Sequence, residues 1–152
     1  MTFTESVKTV ATQKYFDFSG RASRSEFWWW MLAYVLGAIV VSFVPLLPIV
    51  YALALFLPTL GVGWRRMQDI GKPGWYFLIP SIYNVFARLV TPSVSMEMDP
   101  STGMPTEMPG MGAMAWSSLV GIIGFVIAIV FLIFLVRKSD PGPNAYGPPP
   151  TS

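Results

Sequence analysis

Four apolar blocks dominate the pattern of hydrophobic and polar positions along the chain. They cover residues 27–44, 46–64, 75–90 and 115–136. A helix needs about 20 residues to cross the hydrocarbon core of a bilayer, within a range of roughly 17–25. The first, second and fourth blocks reach this length, whereas the third is shorter and contains Pro80. The pattern predicts an all-α membrane protein with four transmembrane helices.

The polar segments between the blocks differ sharply in charge. Nine of the ten Lys and Arg residues lie before the first block, between the second and third, or after the fourth. They are Lys8, Lys14, Arg21, Arg24, Arg65, Arg66, Lys72, Arg137 and Lys138. Residues 91–114 contain acidic but no basic residues. Because basic residues are enriched on the cytoplasmic side of membrane proteins, this alternation predicts an even number of spans with both termini in the cytoplasm.

Two segments lie at the ends of the chain, outside the four spans. Residues 3–18 carry apolar residues at helical spacing from Phe3 to Ala11, which predicts an amphipathic helix on the membrane surface. The alternative is a short helix packed on the inner loop. A single four-span domain is expected over residues 1–138. Residues 139–152 contain five prolines and two glycines, which predicts an extended or disordered cytoplasmic tail.

The composition supports a bilayer environment and excludes several kinds of chemistry. The chain is 53% hydrophobic and only 12% charged, more apolar surface than a soluble domain of 152 residues could bury. It has no Cys and no His, which excludes disulfides and the usual zinc sites and removes the commonest general base. A net charge of +2 does not indicate nucleic-acid binding. No nucleophile lies near a candidate base, so we expect neither an enzyme nor a cofactor.

Local signals indicate how the spans begin and pack. Ser23 and Glu26 fit a capping box that starts the first span. Small residues spaced by three others allow helices to approach closely in lipid. In the first span Ala33 and Gly37, and then Ala38 and Ser42, are spaced in this way, and in the fourth span a single helical face carries Ser117, Gly121, Gly124 and Ala128. These seams could join helices of one protomer or of two.

Three stretches of sequence together resemble a known family. They are YFDFSGRASRSEFWW at residues 15–29, RRMQDIGKPGW at residues 65–75 and DPGPNAYGPPP at residues 140–150. Their content and order are similar to the domain of unknown function 805 family of small bacterial inner-membrane proteins. The resemblance implies a multi-pass protein of the bacterial plasma (inner) membrane with no established biochemical activity. Gln68 and Pro73 depart from the family pattern, which usually has His and Ser there, and residues 91–114 look like an insertion.

Charged residues on the predicted inner side form the first candidate site. They are Arg21, Arg24, Glu26, Arg65, Arg66, Asp69 and Lys72. The basic residues could bind anionic lipid headgroups, each contributing about 1 kcal/mol near a charged leaflet. The two carboxylates could instead pair with arginines and tie the segment before the first span to the inner loop. A third interpretation is that the positive charges only determine the topology.

A polar stripe in the third span forms the second candidate site. Ser81, Asn84 and Arg88 share one helical face. They could line a path for a small solute or anion. The alternative is that Arg88 extends towards the membrane surface while the other two side chains make structural hydrogen bonds.

Methionines in the predicted outer loop form the third candidate site. The candidate ligands are Met96, Met98, Met108, Met111 and Met114. Clustered thioethers can select Cu(I). A flexible loop whose methionines lie against the membrane explains the same residues without a metal.

Three functions from different classes therefore remain open. The first is a non-catalytic interaction or scaffold protein that binds membrane lipid, partner helices or copies of itself. The second is a small transporter or pore subunit that uses the stripe in the third span. The third is metal handling on the outer face. A dry bundle interior favours the scaffold, and a polar-lined cavity favours the transporter.

Overall fold

The computed structural model describes residues 1–91, 101 and 110–150. Within these ranges the chain is helical and has no strand, apart from an isolated bridge between Asn144 and Gly147. The all-α expectation is therefore confirmed for the described residues. The helices are α1 (Phe3–Lys8), a π-helical turn (Thr9–Gln13), α2 (Arg24–Val41), α3 (Leu47–Asp69), a 3-10 helix (Gly74–Leu78), α4 (Ile79–Val90) and α5 (Met111–Val136).

Two helices of the described chain, α3 and α5, are long and apolar enough to cross a membrane. They have 23 and 26 residues, whereas α2 has 18 and α4 has 12. Only 6% of the most apolar stretch of α5 is buried within the protein. Burial of such a helix must therefore come from lipid or from another protein.

The start of α2 agrees with half of the predicted capping box. The Ser23 side chain accepts a hydrogen bond of 3.1 Å from the backbone N–H of Glu26. The Glu26 carboxylate pairs with Arg65 of α3 instead of closing the second half of the box. The first turn of α2 is thereby joined to α3, which is a tertiary contact that the local motif does not encode.

A tight turn connects α2 with α3. Leu46 has a φ of 66°, in the left-handed region that non-glycine residues rarely adopt. Pro48 follows in the first turn of α3, where proline is tolerated because its missing N–H would have no partner within the helix. Gly37 of α2 packs against Tyr51 of α3, whose hydroxyl donates to the Tyr34 carbonyl at 2.9 Å.

The described chain divides into two compact units, Met1–Phe77 with Ile133–Ser152 and Leu78–Leu132. In the first unit α1 packs on α2. The buried Ser6 hydroxyl donates to the Glu26 carbonyl at 2.6 Å, and the Phe3 ring meets Trp29 edge-on at 5.9 Å between centroids.

The N-terminal helix was predicted over residues 3–18. The helical segment ends at Gln13, and beyond it the Tyr15 hydroxyl bonds to the Ala54 carbonyl.

The second unit contains α4 and most of α5. The Tyr83 hydroxyl donates to the Val120 carbonyl, and Trp116 Nε1 donates to the Val90 carbonyl at 2.9 Å. Gly124 lies against the Tyr83 ring, so one of the predicted small-residue positions is used within the protomer. A Cβ on Gly121, three residues earlier, would have no described atom within 4 Å.

Candidate functional site

Five charged residues, Arg21, Glu26, Arg65, Arg66 and Asp69, lie together in the first unit, and we call them the arginine cluster. The last turns of α3 supply Arg65, Arg66 and Asp69. The segment before α2 supplies Arg21, and the first turn of α2 supplies Glu26. All five side chains are buried. The cluster therefore joins the first and second of the three sequence stretches that carry the family resemblance.

Close backbone approach brings these segments together. A Cβ on Gly61 would lie 3.1 Å from the Asp17 carbonyl oxygen, and one on Gly63 would lie 2.3 Å from the Phe77 ring. Glycine at both positions leaves room for the segment before α2 and for the chain that follows α3. The backbone N–H of Ala22 then donates to the Arg65 carbonyl at 3.1 Å.

Three ion pairs hold the cluster. Arg21 Nε lies 3.0 Å from Asp69 Oδ1, and Arg65 Nη1 lies 2.6 Å from Glu26 Oε1. Arg66 Nη1 donates to the second oxygen of Asp69. Each carboxylate is thus matched to arginine, as buried charges require. This geometry corresponds to the ion-pair interpretation of these residues rather than to exposed lipid ligands.

The cluster contains more positive than negative charge. Three arginines face two carboxylates, which leaves one positive charge in excess. Backbone oxygens compensate in part, because Arg65 Nε donates to the Asp17 carbonyl at 3.1 Å. Arg65 Nη2 is buried without a hydrogen-bond partner in the described chain. Removal of either carboxylate would therefore leave arginine charge uncompensated in a buried site.

Two arginines bind the end of α5. Arg66 donates to the Leu135 carbonyl at 3.1 and 3.0 Å from Nε and Nη2, and also to the Arg137 carbonyl. Arg24 Nη1 donates to the Val136 carbonyl at 3.3 Å. The last carbonyls of a helix have no partners within the helix and carry partial negative charge, so guanidinium groups stabilise them.

The C-terminal tail also binds the cluster. Arg21 donates to the carbonyls of Asp140 and Gly142 at 2.6 and 2.8 Å. Asn144 Nδ2 donates to the Gln68 carbonyl at 2.9 Å, and the Ser139 hydroxyl donates to Asp69. These contacts were not expected from composition, and they accompany the extended rather than the disordered form of the predicted tail. The proline-rich segment forms no regular element, yet Arg21 binds two of its carbonyls and Asn144 attaches it to the last turn of α3.

Gln68 occupies the position where the family pattern usually has His. Its amide, oriented by its neighbours, donates to the carbonyls of Phe18 and Gly20 at 3.2 and 2.8 Å and accepts from Trp64 Nε1 at 3.3 Å. A neutral amide can supply both donors and an acceptor at once. Gln68 therefore holds the segment before α2 without a titratable group.

Asp17 links a turn to the cluster. Burial acts to raise the pKa of its carboxyl, but hydrogen bonds from the Ser19 hydroxyl and backbone N–H outweigh it, so the pKa is lowered from its usual value. These bonds are 2.6 and 2.9 Å long. The ionised carboxylate therefore fixes the turn whose carbonyl receives Arg65.

The remaining charged candidates lie outside the ion pairs. Arg24 is exposed at the start of α2. The Lys72 ammonium lies 5.9 Å from the centroid of the Phe134 ring, within the range of a cation–π contact. Gly71 before it has a φ of +70°, which glycine adopts without steric cost and which forms the turn after α3.

In the described chain the three residues of the polar stripe predicted for the third span do not line one common path. Asn84 Nδ2 donates to the Pro80 carbonyl of its own helix at 3.0 Å. Asn84 lines a cavity of about 350 Å³ with residues that include Tyr83 and Gly121, whereas Ser81 lines a separate apolar groove with residues such as Ile82. Arg88 is exposed on α4.

The methionine hypothesis falls largely outside the described residues. Met96, Met98 and Met108 are among those that the structure does not describe. Met111 and Met114 lie in the first turn of α5 and are exposed. In the described ranges no group of three or more His, Cys, Asp or Glu side chains is placed to hold a metal ion. Cu(I) binding stays a prediction.

Sequence reasoning missed the part of the site that comes from the tail. Two side chains and four carbonyls complete the cluster, and none of them was a candidate: Ser139, Asn144 and the carbonyls of Leu135, Arg137, Asp140 and Gly142. The available signal was the Asn-Ala-Tyr-Gly segment within the third stretch that carries the family resemblance. Asn144 Oδ1 accepts from the Tyr146 N–H at 2.9 Å, and Gly147 has a φ of +123° that other residues rarely adopt.

Comparisons with known proteins agree with a membrane location. Residues 15–148 match the family described as protein of unknown function (DUF805). The inner membrane protein YhaI of Escherichia coli K12 is 32% identical over 75 residues, a match that covers 44% of this chain and 64% of YhaI. The inner membrane protein YhaH of the same organism is 29% identical over 85 residues, which cover 46% of this chain and 70% of YhaH. No solved structure matches the chain.

Proposed function

This chain belongs to the DUF805 family, to which its match extends over residues 15–148, and from that membership we propose that it is a four-span, non-catalytic scaffold of the inner membrane. In this proposal the arginine cluster fixes the cytoplasmic ends of the helices. The apolar outer faces then bind partner helices or a second copy of the chain. The cluster holds the helix ends together and does not catalyse a reaction.

The meeting of helix ends in the first unit supports the topology. The start of α2, the end of α3 and the end of α5 all reach the arginine cluster through Glu26, Asp69 and Leu135. A chain that leaves the cluster after Asp69 and returns at Leu135 needs an outward and a return crossing. We assign these crossings to α4 and α5, which gives four spans with both termini in the cytoplasm.

The length of the third crossing is sufficient. The 3-10 helix and α4 contain 5 and 12 residues. At rises of about 2.0 and 1.5 Å per residue they extend over at most about 28 Å, close to the roughly 30 Å hydrocarbon core. Trp75 near the start of this segment and Arg88 near its end suit the two membrane interfaces.

The main support for the scaffold role is that both carboxylates of the arginine cluster are already paired with arginines. Glu26 and Asp69 are matched to arginines and are buried, so neither is placed to exchange protons with a substrate. Large apolar side chains on the helices stay uncovered instead. Val40 of α2 and Leu53 of α3 are 69% and 72% exposed. We therefore assign the binding of partner helices to the exposed apolar faces of the helices.

Photocrosslinking from single positions tests the scaffold role. A photoreactive residue is placed at Val40 in native membranes, and a control is placed at the fully buried Val62. Crosslinks to a membrane protein or to a second copy are expected from Val40 and not from Val62. Crosslinks from Val40 to lipid alone would contradict the scaffold role, because they would show that this face contacts only lipid.

A transport role is the second candidate function, and the cavity beside Asn84 supports it. Its volume of about 350 Å³ could admit a small solute. Solute flux into proteoliposomes, lost in Asn84→Leu at normal membrane levels, would favour transport over the scaffold. The scaffold predicts no flux above that of empty liposomes.

A further inference from the structure

The outer surface of α2 carries a groove that the arginine cluster does not use. Its volume is about 460 Å³. It is lined by Arg24, Ser25, Trp28, Trp29 and Leu32. These residues recur at intervals of three and four and therefore share one helical face. Arg24 is exposed, and Trp28 and Trp29 keep 40% and 39% of their surface accessible.

Arg24 has no carboxylate partner within the described chain. Its hydrogen bond there goes to the Val136 carbonyl at 3.3 Å. Asp69 is taken by Arg21 and Arg66, and Glu26 is taken by Arg65. With Arg24 added to the arginine cluster, four positive charges face two negative ones, an excess of two. Arg24 and Arg66 bind the neighbouring carbonyls of Val136 and Leu135, so their positive charges lie near each other. An anion beside Arg24 would relieve this excess.

The groove changes from charged to apolar along the helix. Arg24 and Leu32 are eight residues apart, which corresponds to about 12 Å along the helix axis. Between them lie two tryptophans, whose rings favour the headgroup region of a bilayer. A phospholipid changes in the same order, from a phosphate to acyl chains. A free phosphate ion would use only the charged end.

We propose that this groove binds one anionic phospholipid. The phosphate lies at the guanidinium of Arg24, whose planar N–H groups can donate to two oxygens at once, and beside the Ser25 hydroxyl. An acyl chain lies along Trp28 and Leu32. A lipid with a net negative charge is preferred to a zwitterionic one, because the ammonium of a zwitterion opposes the positive excess. This site depends on the membrane location and not on the scaffold role.

Native mass spectrometry of the full-length protein in detergent tests the site. The probes are phosphatidylglycerol and phosphatidylcholine with the same acyl chains. The wild-type protein is expected to bind one phosphatidylglycerol about fivefold more tightly than phosphatidylcholine, as one interfacial arginine implies. Arg24→Gln should abolish this preference. Lys8→Gln, which removes an exposed positive charge from α1, should retain it.

Two further arms separate the charge of Arg24 from its contact with α5 and a headgroup from a free anion. Arg24→Lys keeps the charge and should keep a preference for phosphatidylglycerol. Millimolar inorganic phosphate should not displace the bound lipid. An unchanged preference in Arg24→Gln, a loss in Arg24→Lys equal to that in Arg24→Gln, or displacement by phosphate would each overturn the proposal.

Discussion

Arg21 and Asp69 form a buried ion pair of 3.0 Å across 48 positions of sequence. Arg21 belongs to the segment before α2, and Asp69 is the last residue of α3. The other side of the Arg21 guanidinium reaches the Asp140 carbonyl at 2.6 Å. One side chain thereby joins all three stretches that carry the family resemblance. We predict that this junction, more than any single helix contact, sets the stability of this end of the helices.

Asp69→Asn should be the most destabilising conservative change in the cluster. It leaves Arg21 and Arg66 buried without their shared counter-charge, and breaking a buried pair in this way costs about 3–5 kcal/mol. Thermal unfolding in detergent measures the loss. Glu5→Gln is the matched control, because Glu5 is exposed and its carboxylate contacts only Thr2 of its own helix start. A similar small effect of both variants would contradict a structural role of the cluster.

Glu26 and Arg65 should behave as a coupled pair. Glu26→Leu and Arg65→Met each leave one buried charge without its partner, whereas the double variant removes both charges. We expect the double variant to lose less stability than the sum of the single variants, by about 1–3 kcal/mol. The free energies of unfolding of the four proteins give this coupling. Additive losses would show that the 2.6 Å contact contributes nothing of its own.

Asn144→Ala should loosen the tail without unfolding the helices. The change removes the 2.9 Å hydrogen bond to the Gln68 carbonyl, and such a bond contributes about 1 kcal/mol. Hydrogen exchange at the Gly147 amide, which donates to the Asn144 carbonyl, should become several-fold faster. Ala145→Ser, at an exposed neighbouring position, should leave the exchange rate unchanged. If the Gly147 amide exchanged equally fast in the wild-type protein and in Asn144→Ala, the result would support a disordered tail.

Gly124 and Gly121 should respond differently to the same substitution. A Cβ on Gly124 would lie 2.8 Å from the Tyr83 ring, whereas one on Gly121 would meet nothing within 4 Å. Gly124→Ala should destabilise the protein by about 1–3 kcal/mol because the ring must move. Gly121→Ala should be neutral or stabilising, because alanine favours a helix by about 1 kcal/mol. Thermal unfolding compares the two, and a reversed order would contradict the packing of α4 on α5.

The sequence predicts those features that depend on local or bulk properties. The helical class follows from the length of the apolar blocks, and the Ser23 cap follows from a spacing of three residues. The choice of partners was left open, because lipid binding, ion pairing and topology determination use the same arginines. Their selection depends on tertiary contacts such as that between Arg65 and Glu26, which no local pattern encodes.

The shorter N-terminal helix and the unpredicted contacts of the tail have related physical causes. The N-terminal helix ends at Gln13 because the chain then turns to hydrogen-bond with α3, through Tyr15 and through the Asp17 carbonyl that receives Arg65. The tail was expected to be extended or disordered because proline excludes regular hydrogen bonding. Composition does not reveal that a distant arginine can bind the carbonyls of such a segment.

The four-span topology, with the arginine cluster in the cytoplasm, is tested most directly by cysteine accessibility. The natural chain has no cysteine, so single substitutions report without background. Gly103→Cys lies between α4 and α5, and Ala145→Cys lies in the tail. A membrane-impermeant thiol reagent added to intact inner-membrane vesicles of cytoplasmic-side-in orientation should label Gly103→Cys at once and Ala145→Cys only after lysis. Labelling of both before lysis, or of Ala145→Cys alone, would contradict the account.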